Sequence, residues 1–82
     1  MTLSGELRFA TVMKALQQAG NETGDALDLS AVPRADSAGI ALLLELHRRA
    51  RARGRTLRIS GANEQVSGLV RFFGLGHILD LS

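Results

Sequence analysis

The segment of residues 25–44 most constrains the fold, because it joins an apolar strand pattern directly to a long apolar helix pattern. Residues 26–29 form a compact apolar run interrupted only by an aspartate, and a run of that length favours a central strand over a helix. Pro33 ends the strand, since it has no N–H to donate to a sheet ladder. After Ser37 the apolar positions recur at helical spacing. The segment therefore predicts a strand, a turn and a helix in immediate succession.

The rest of the chain alternates between the same two patterns. The predicted elements are, in chain order, a short strand at residues 3–7, a helix from residue 9 to about 19 that ends at Gly20 and Asn21, a strand at 26–29, a helix from 37 to about 53 that Gly54 stops, a strand at 57–60, a helix at 66–73 that Gly74 and Gly76 end, and a strand or turn at 78–81. This order predicts an α/β fold, a small open β-sheet of about four mostly parallel strands with helices packed on it. Connections between neighbouring parallel strands are expected to cross over in the right-handed sense.

The length and composition bound the class of protein. Eighty-two residues make a single domain spanning residues 1–82, and 45% hydrophobic with 22% charged residues is typical of a globular chain rather than a disordered one. The longest apolar stretch, at residues 38–44, is far shorter than the roughly 20 residues that span a bilayer. Residues 1–8 lack the basic opening and the apolar stretch of an export signal, so we expect a cytoplasmic location.

The chemistry-bearing residues do not form a catalytic or metal-binding set. The chain has no cysteine, which excludes a disulfide framework, a thiol nucleophile and a cysteine-ligated zinc. His47 and His77 stand thirty residues apart, and neither has a carboxylate or serine at a catalytic spacing. Asp28 has no second carboxylate with which to form an acid and base pair. We therefore expect no enzyme activity, no metal and no cofactor.

Ser37 lies where the predicted helix begins. The first N–H groups of a helix have no partner inside it, and the helix dipole leaves partial positive charge at that end. One interpretation is structural: Ser37 caps the helix, and Asp36 bonds backbone N–H groups in the turn. The other is a contact surface, because Ala38 and Gly39 place no bulky side chain on the first turn. A glycine inside a helix lowers stability by up to about 1 kcal/mol relative to alanine, so its presence suggests close approach by another group. A negative group on Ser37 would be held by the helix end, with Arg34 offsetting the charge of Asp36.

Basic side chains are concentrated in the second half of the chain. Residues 1–46 carry three basic and six acidic side chains, whereas residues 47–82 carry seven and two. Most of the excess lies between Arg48 and Arg58, where it spreads around the end of the predicted helix. Three interpretations stay open: a solvated helix end favoured by the dipole, a docking surface for an acidic partner, and a nucleic-acid site. The absence of tyrosine and tryptophan disfavours the third, so we expect no nucleic-acid partner.

Two phrases of the sequence resemble the STAS domain family. They are Asp-Leu-Ser-Ala-Val at residues 28–32 and Asp-Ser-Ala-Gly-Ile-Ala-Leu-Leu-Leu at residues 36–44, preceded by Gly-Glu-Leu at 5–7 and followed by Gly-Arg-Thr-Leu at 54–57. The resemblance spans nearly the whole chain and implies a non-enzymatic cytoplasmic module that docks on a nucleotide-binding partner. The chain begins almost at its Gly-Glu-Leu strand, so the strand that opens many STAS domains is expected to be shortened or missing.

The family has two relevant branches. In antagonists of anti-sigma factors, the serine that matches Ser37 is phosphorylated by the partner, an anti-sigma factor kinase. In the STAS subunits of ABC-type phospholipid transport (Mla) complexes, the matching helix start lies against the ATPase subunit and supports its assembly and activity. The short first strand, the apolar helix and the arginine passage are more similar to the second branch.

The resemblance therefore implies that this chain binds an ABC-transporter ATPase subunit and meets the inner membrane only through that complex. Ser37 would supply a hydroxyl contact, Asp36 and Arg34 a polar rim, and Ala38 and Gly39 the clearance for the partner. The alternative is an anti-sigma factor antagonist that is regulated by phosphorylation of Ser37.

Overall fold

The computed structural model describes residues 2–6, 11, 14 and 26–81. Its elements are, in chain order, strand β1 at Thr2–Ser4, strand β2 at Ala26–Ala31, a helix at Ser37–Ala52 (the Ser37 helix), strand β3 at Arg58–Ser60, a helix at Glu64–Phe72 (the Glu64 helix) and strand β4 at Asp80–Leu81. The helix predicted from residue 9 to about 19, with its end at Gly20 and Asn21, lies outside the described residues apart from Thr11 and Lys14, which are helical.

The four strands form one parallel sheet in the order β1-β2-β3-β4. In the centre of the sheet, Leu27 of β2 lies opposite Ile59 of β3. Each strand pairs with the strand that follows it in sequence, as expected when a helix carries the chain from one parallel strand to its neighbour. The predicted small open parallel sheet with helices packed on it is confirmed.

The core lies between the described helices and one face of the sheet. β2 and β3 alternate buried leucine or isoleucine with more exposed residues, the pattern of strands packed on one side only. The Ser37 helix presents Leu42, Leu43 and Leu46 to this core. The buried apolar residues are Leu3, Leu27, Leu29, Val32, Ala35, Ile40, Leu42, Leu43, Leu46, Ala50, Leu57, Ile59, Val66, Val70 and Leu79. No helix among the described residues is both long and apolar enough to cross a membrane.

Glycines with positive φ end the first strand earlier than predicted and end the Glu64 helix within one residue of the predicted position. The first strand is shorter than predicted: β1 ends at Ser4, since Gly5 has a φ of 78° and leaves the extended conformation, and residue 7 lies outside the described residues. The Glu64 helix ends at Phe72, and Gly74 with a φ of 72° closes it through its N–H bond to the Arg71 carbonyl. Phe73, which the helical stripe placed in the core, is consequently 46% exposed.

The strand bounds differ in two further places. β2 runs two residues beyond the predicted end, to Ala31, because its last residue pairs with Ser4 of β1. β3 begins at Arg58 rather than at Leu57, although Leu57 is itself buried. The predicted last strand is present as the two residues of β4, which pair with β3.

Candidate functional site

The Ser37 helix is capped by Asp36. The backbone of Asp36 is extended, and its Oδ1 accepts a hydrogen bond from the Gly39 N–H at 3.0 Å. The Asp36 carbonyl accepts the first helical bond, from the Ile40 N–H at 3.0 Å. Asp36 thus bonds nearby backbone N–H groups as predicted, whereas the interpretation of Ser37 as the cap is wrong. Ser37 is the first helical residue, and its side chain is free of the capping role.

The Ser37 side chain is exposed at this helix start, and Arg34 and Asp36 beside it are also exposed. No hydrogen bond joins the Ser37 hydroxyl to the part of the chain that the structure describes. Ala38 is half-buried and Gly39 is buried. The roles of Ala38 and Gly39 in leaving clearance for a partner stay predictions, and the burial of Gly39 limits its part to the absence of a side chain. The uncovered surface consists of Ser37, part of Ala38 and the two charged neighbours.

A side-chain clamp from the Glu64 helix holds the loop before Ser37. The Ala35 N–H donates to Gln65 Oε1, and Gln65 Nε2 donates to the Ala35 carbonyl, both at 2.8 Å. Asn63 Nδ2 donates to the Pro33 carbonyl, also at 2.8 Å. Because Ala35 is buried, its backbone groups have little access to water and depend on these bonds. The loop that presents Ser37 is therefore fixed to a second helix rather than free.

The clamp also brings two helix N-termini to one end of the molecule. Asn63 caps the Glu64 helix through its Oδ1, which accepts from the Val66 N–H at 3.0 Å, while its amide nitrogen reaches the loop before Ser37. Both helix starts carry partial positive charge. The carboxylate of Asp36 and the acidic Glu64 in the first turn of the second helix partly offset it. A phosphate on Ser37 would have to share this end with the negative charge that already caps it.

Sequence reasoning missed the two residues that form the clamp. Asn63 carried a local signal, because an asparagine three positions before the first buried residue of a helix is typical of an N-cap. Gln65 carried none, since it lies on the polar side of its helix and pairs with a residue thirty positions away. Its role follows from the packing of the two helices alone.

Two acidic side chains outside this site, Asp28 and Glu45, form structural contacts. Asp28 Oδ1 accepts from the Ser30 N–H at 2.8 Å, and this bond lowers the pKa of Asp28. In the basic passage, Glu45 pairs with Arg48 at 2.7 Å and with Arg49 at 3.0 Å, and these partners lower the pKa of Glu45 to about 2. Within residues 2–6, 11, 14 and 26–81, no three histidine or carboxylate side chains are grouped so as to hold a metal ion.

Comparison with known proteins agrees with this fold. A family model described as "Mlab, STAS domain" matches residues 1–80. A solved structure of a candidate anti-sigma factor antagonist from Thermotoga maritima is similar with a TM-score of 0.77 and 18% identity, over 98% of this chain and 75% of that one. A sulfate transporter family protein from Wolinella succinogenes is similar with a TM-score of 0.72 and 24% identity, over 99% of this chain and 73% of that one. No curated protein matches the chain.

Proposed function

Because the chain belongs to the STAS domain family, we propose that it is a non-catalytic interaction subunit that binds and supports the ATPase of an ABC-type phospholipid transport (Mla) complex. The observation that carries the proposal is the exposed Ser37 at a helix start whose loop is fixed by Gln65 and Asn63. A rigid, uncovered helix end loses little conformational freedom on binding, which favours its use as a contact surface. The description of the matching family model supports the Mla branch.

The contact chemistry follows from the three exposed groups. Ser37 offers a small hydroxyl that both donates and accepts. Arg34 and Asp36 at its sides supply charges of opposite sign, which set the orientation of a partner more than the affinity. The subunit acts mechanically, by stabilising one arrangement of the ATPase. We place it in the cytoplasm, held at the inner membrane through the transporter.

The test is co-purification with the Mla-type ATPase encoded in the same genome, after co-expression with the complete chain. Ser37→Arg puts a long charged side chain into the contact and should abolish co-purification. Thr56→Arg is the matched control, since Thr56 is an exposed hydroxyl residue in the loop beyond the other end of the Ser37 helix, and it should retain the complex. Urea unfolding of both variants establishes that they are folded. Full binding by a folded Ser37→Arg protein would contradict the proposal.

The second candidate function is an anti-sigma factor antagonist regulated by phosphorylation of Ser37. It is favoured by the structural similarity to the candidate antagonist from Thermotoga maritima and by the exposed hydroxyl. Incubation with the anti-sigma factor kinase of the same organism and ATP distinguishes the two functions. The antagonist gains the mass of one phosphate, which Ser37→Ala prevents, whereas the transport subunit stays unmodified while a known substrate of that kinase is labelled.

A further inference from the structure

An open groove runs along the flank of the Ser37 helix, away from the Ser37 end. Its volume is about 590 Å³, and its walls come from the later turns of that helix and from the turn before β4. The six lining residues, here called the His47 groove, are Leu44, His47, Arg48, Arg51, His77 and Ile78. Along the helix the lining begins at Leu44, seven residues or about 10 Å beyond Ser37, so the groove lies beyond the first turn that forms the proposed ATPase contact.

The charged groups that face the groove are basic. Arg51 is exposed, and no ion pair or hydrogen bond joins its side chain to any residue within the described part of the chain. Arg48 pairs with Glu45, which lies outside the lining and neutralises part of its charge. The two histidines add nitrogen donors and acceptors at the same place. None of the six lining residues carries a carboxylate, so the groove is complementary to an acidic ligand.

One polar atom in the groove lacks a partner. His47 Nδ1 is buried and forms no hydrogen bond with any residue that the structure describes. Buried polar atoms in folded proteins are nearly always hydrogen-bonded, so this nitrogen leaves His47 with an unused hydrogen-bonding group beside the groove. This observation is independent of the arginine charges.

The groove also has an apolar part. Leu44 is 37% exposed and Ile78 is 41% exposed, and both line the groove. Large apolar side chains that remain exposed beside a polar rim are typical of protein contact sites, where a partner's apolar side chain covers them. A concave wall of this kind fits an inserted side chain better than a flat surface.

We infer that the His47 groove binds an acidic peptide segment of a protein partner, with an apolar side chain on Leu44 and Ile78 and carboxylates toward Arg51 and the histidines. The complementary charge selects the acidic segment and the exposed leucine and isoleucine select its apolar residue. This assigns a docking role to part of the basic passage. It does not depend on the proposed ATPase contact at Ser37.

The probe is a synthetic peptide in which glutamates alternate with single leucines, titrated into the isotope-labelled complete chain while amide shifts are followed by NMR. Saturable shifts should be confined to residues 44–51 and 77–78. Arg51→Glu should weaken the apparent affinity by about tenfold. Arg55→Glu, an equal charge change at an exposed position outside the groove, should change it by less than about twofold. A peptide with serine in place of leucine should bind more weakly.

Several outcomes would overturn the inference. The first is the absence of saturable amide shifts at the groove. The second is an equal loss of affinity from Arg51→Glu and Arg55→Glu, which indicates unspecific charge attraction. The third is binding of the serine peptide with the same affinity as the leucine peptide. Tighter Arg51-dependent binding to phosphatidylglycerol vesicles or to duplex DNA than to the peptide would assign the groove to a membrane or to nucleic acid instead. Arg51→Gln, which removes the charge without reversing it, provides the comparison if Arg51→Glu fails to fold.

Discussion

Replacing Gln65 by alanine should release the loop that presents Ser37. The Gln65 side chain makes two hydrogen bonds, one accepted from the Ala35 N–H and one donated to the Ala35 carbonyl, each 2.8 Å long. Ala35 is 7% exposed, so water replaces these bonds poorly. Alanine removes both partners at once and leaves the Ala35 backbone groups unpaired.

The magnitude follows from the number of bonds. A net contribution of about 1 kcal/mol for each side chain to backbone bond gives a loss of about 2 kcal/mol in the free energy of unfolding. The gain in helix propensity from glutamine to alanine is only a few tenths of a kcal/mol and does not offset it. A domain of this size is stable by roughly 4 to 12 kcal/mol, so the variant still folds. With a urea dependence of about 1 kcal/mol per molar, the unfolding midpoint should fall by about 2 M.

Two measurements check the prediction. Urea unfolding gives the midpoint, and amide hydrogen exchange should show faster exchange of the Ala35 N–H, because Gln65 is its hydrogen-bond acceptor. Arg71→Ala is the matched control, since Arg71 is an exposed residue of the same helix, and it should cost less than about 0.5 kcal/mol. If Gln65→Ala unfolds at the same urea concentration as the control and the Ala35 amide is no less protected, the side chain does not hold the loop and the reasoning is refuted.

Three further predictions concern the cap, a close approach and an ion pair. Asp36→Ala should lower the free energy of unfolding by about 1 kcal/mol in urea titrations, whereas Asp36→Asn, which can still cap, should cost a few tenths. Gly61→Ala should cost at least about 2 kcal/mol, and Gly54→Ala about 1 kcal/mol. Both glycines have positive φ, but only at Gly61 would the added Cβ meet backbone, at 2.7 Å, so equal losses would contradict the close approach. The pKa of Glu45 is lowered from 4.5 to about 2 by its arginine partners, so its pairing stabilises the fold above pH 4.5 and the stabilisation is lost as the pH falls toward 2. The free energy of unfolding of the original chain should therefore fall toward that of Glu45→Gln as the pH is lowered from 4.5 to 2. If the two proteins show the same pH dependence of this free energy, the pairing does not stabilise the fold.

The sheet and the two described helices follow from local patterns. An alternation of buried and exposed residues and a helical spacing of leucines are properties of short segments, so they predict β2, β3 and the Ser37 helix without any knowledge of neighbours. Strand ends are less local. Ala31 continues β2 because it pairs with β1, and nothing within β2 itself indicates that pairing.

The candidate site divides in the same way. An exposed serine at a helix start is a local inference, because helix ends leave unpaired N–H groups wherever they occur. The burial of Gly39 cannot be inferred locally, since it depends on which other atoms of the chain cover the first turn of the helix. Asp36 rather than Ser37 became the cap because its extended backbone points the carboxylate back at the Gly39 N–H.

By itself the sequence determined the order of the described elements, the resemblance to the STAS family and the position of Ser37 at the beginning of a helix, because each depends on residues close together in the chain. Only the tertiary structure decided that Gln65 holds the loop at Ala35 and that His47 and His77 share one groove. Both pairs are separated by thirty residues in sequence. Contacts of that kind form when helices pack on a sheet. The sequence around a polar side chain has no periodic pattern that shows which distant residue this side chain will contact.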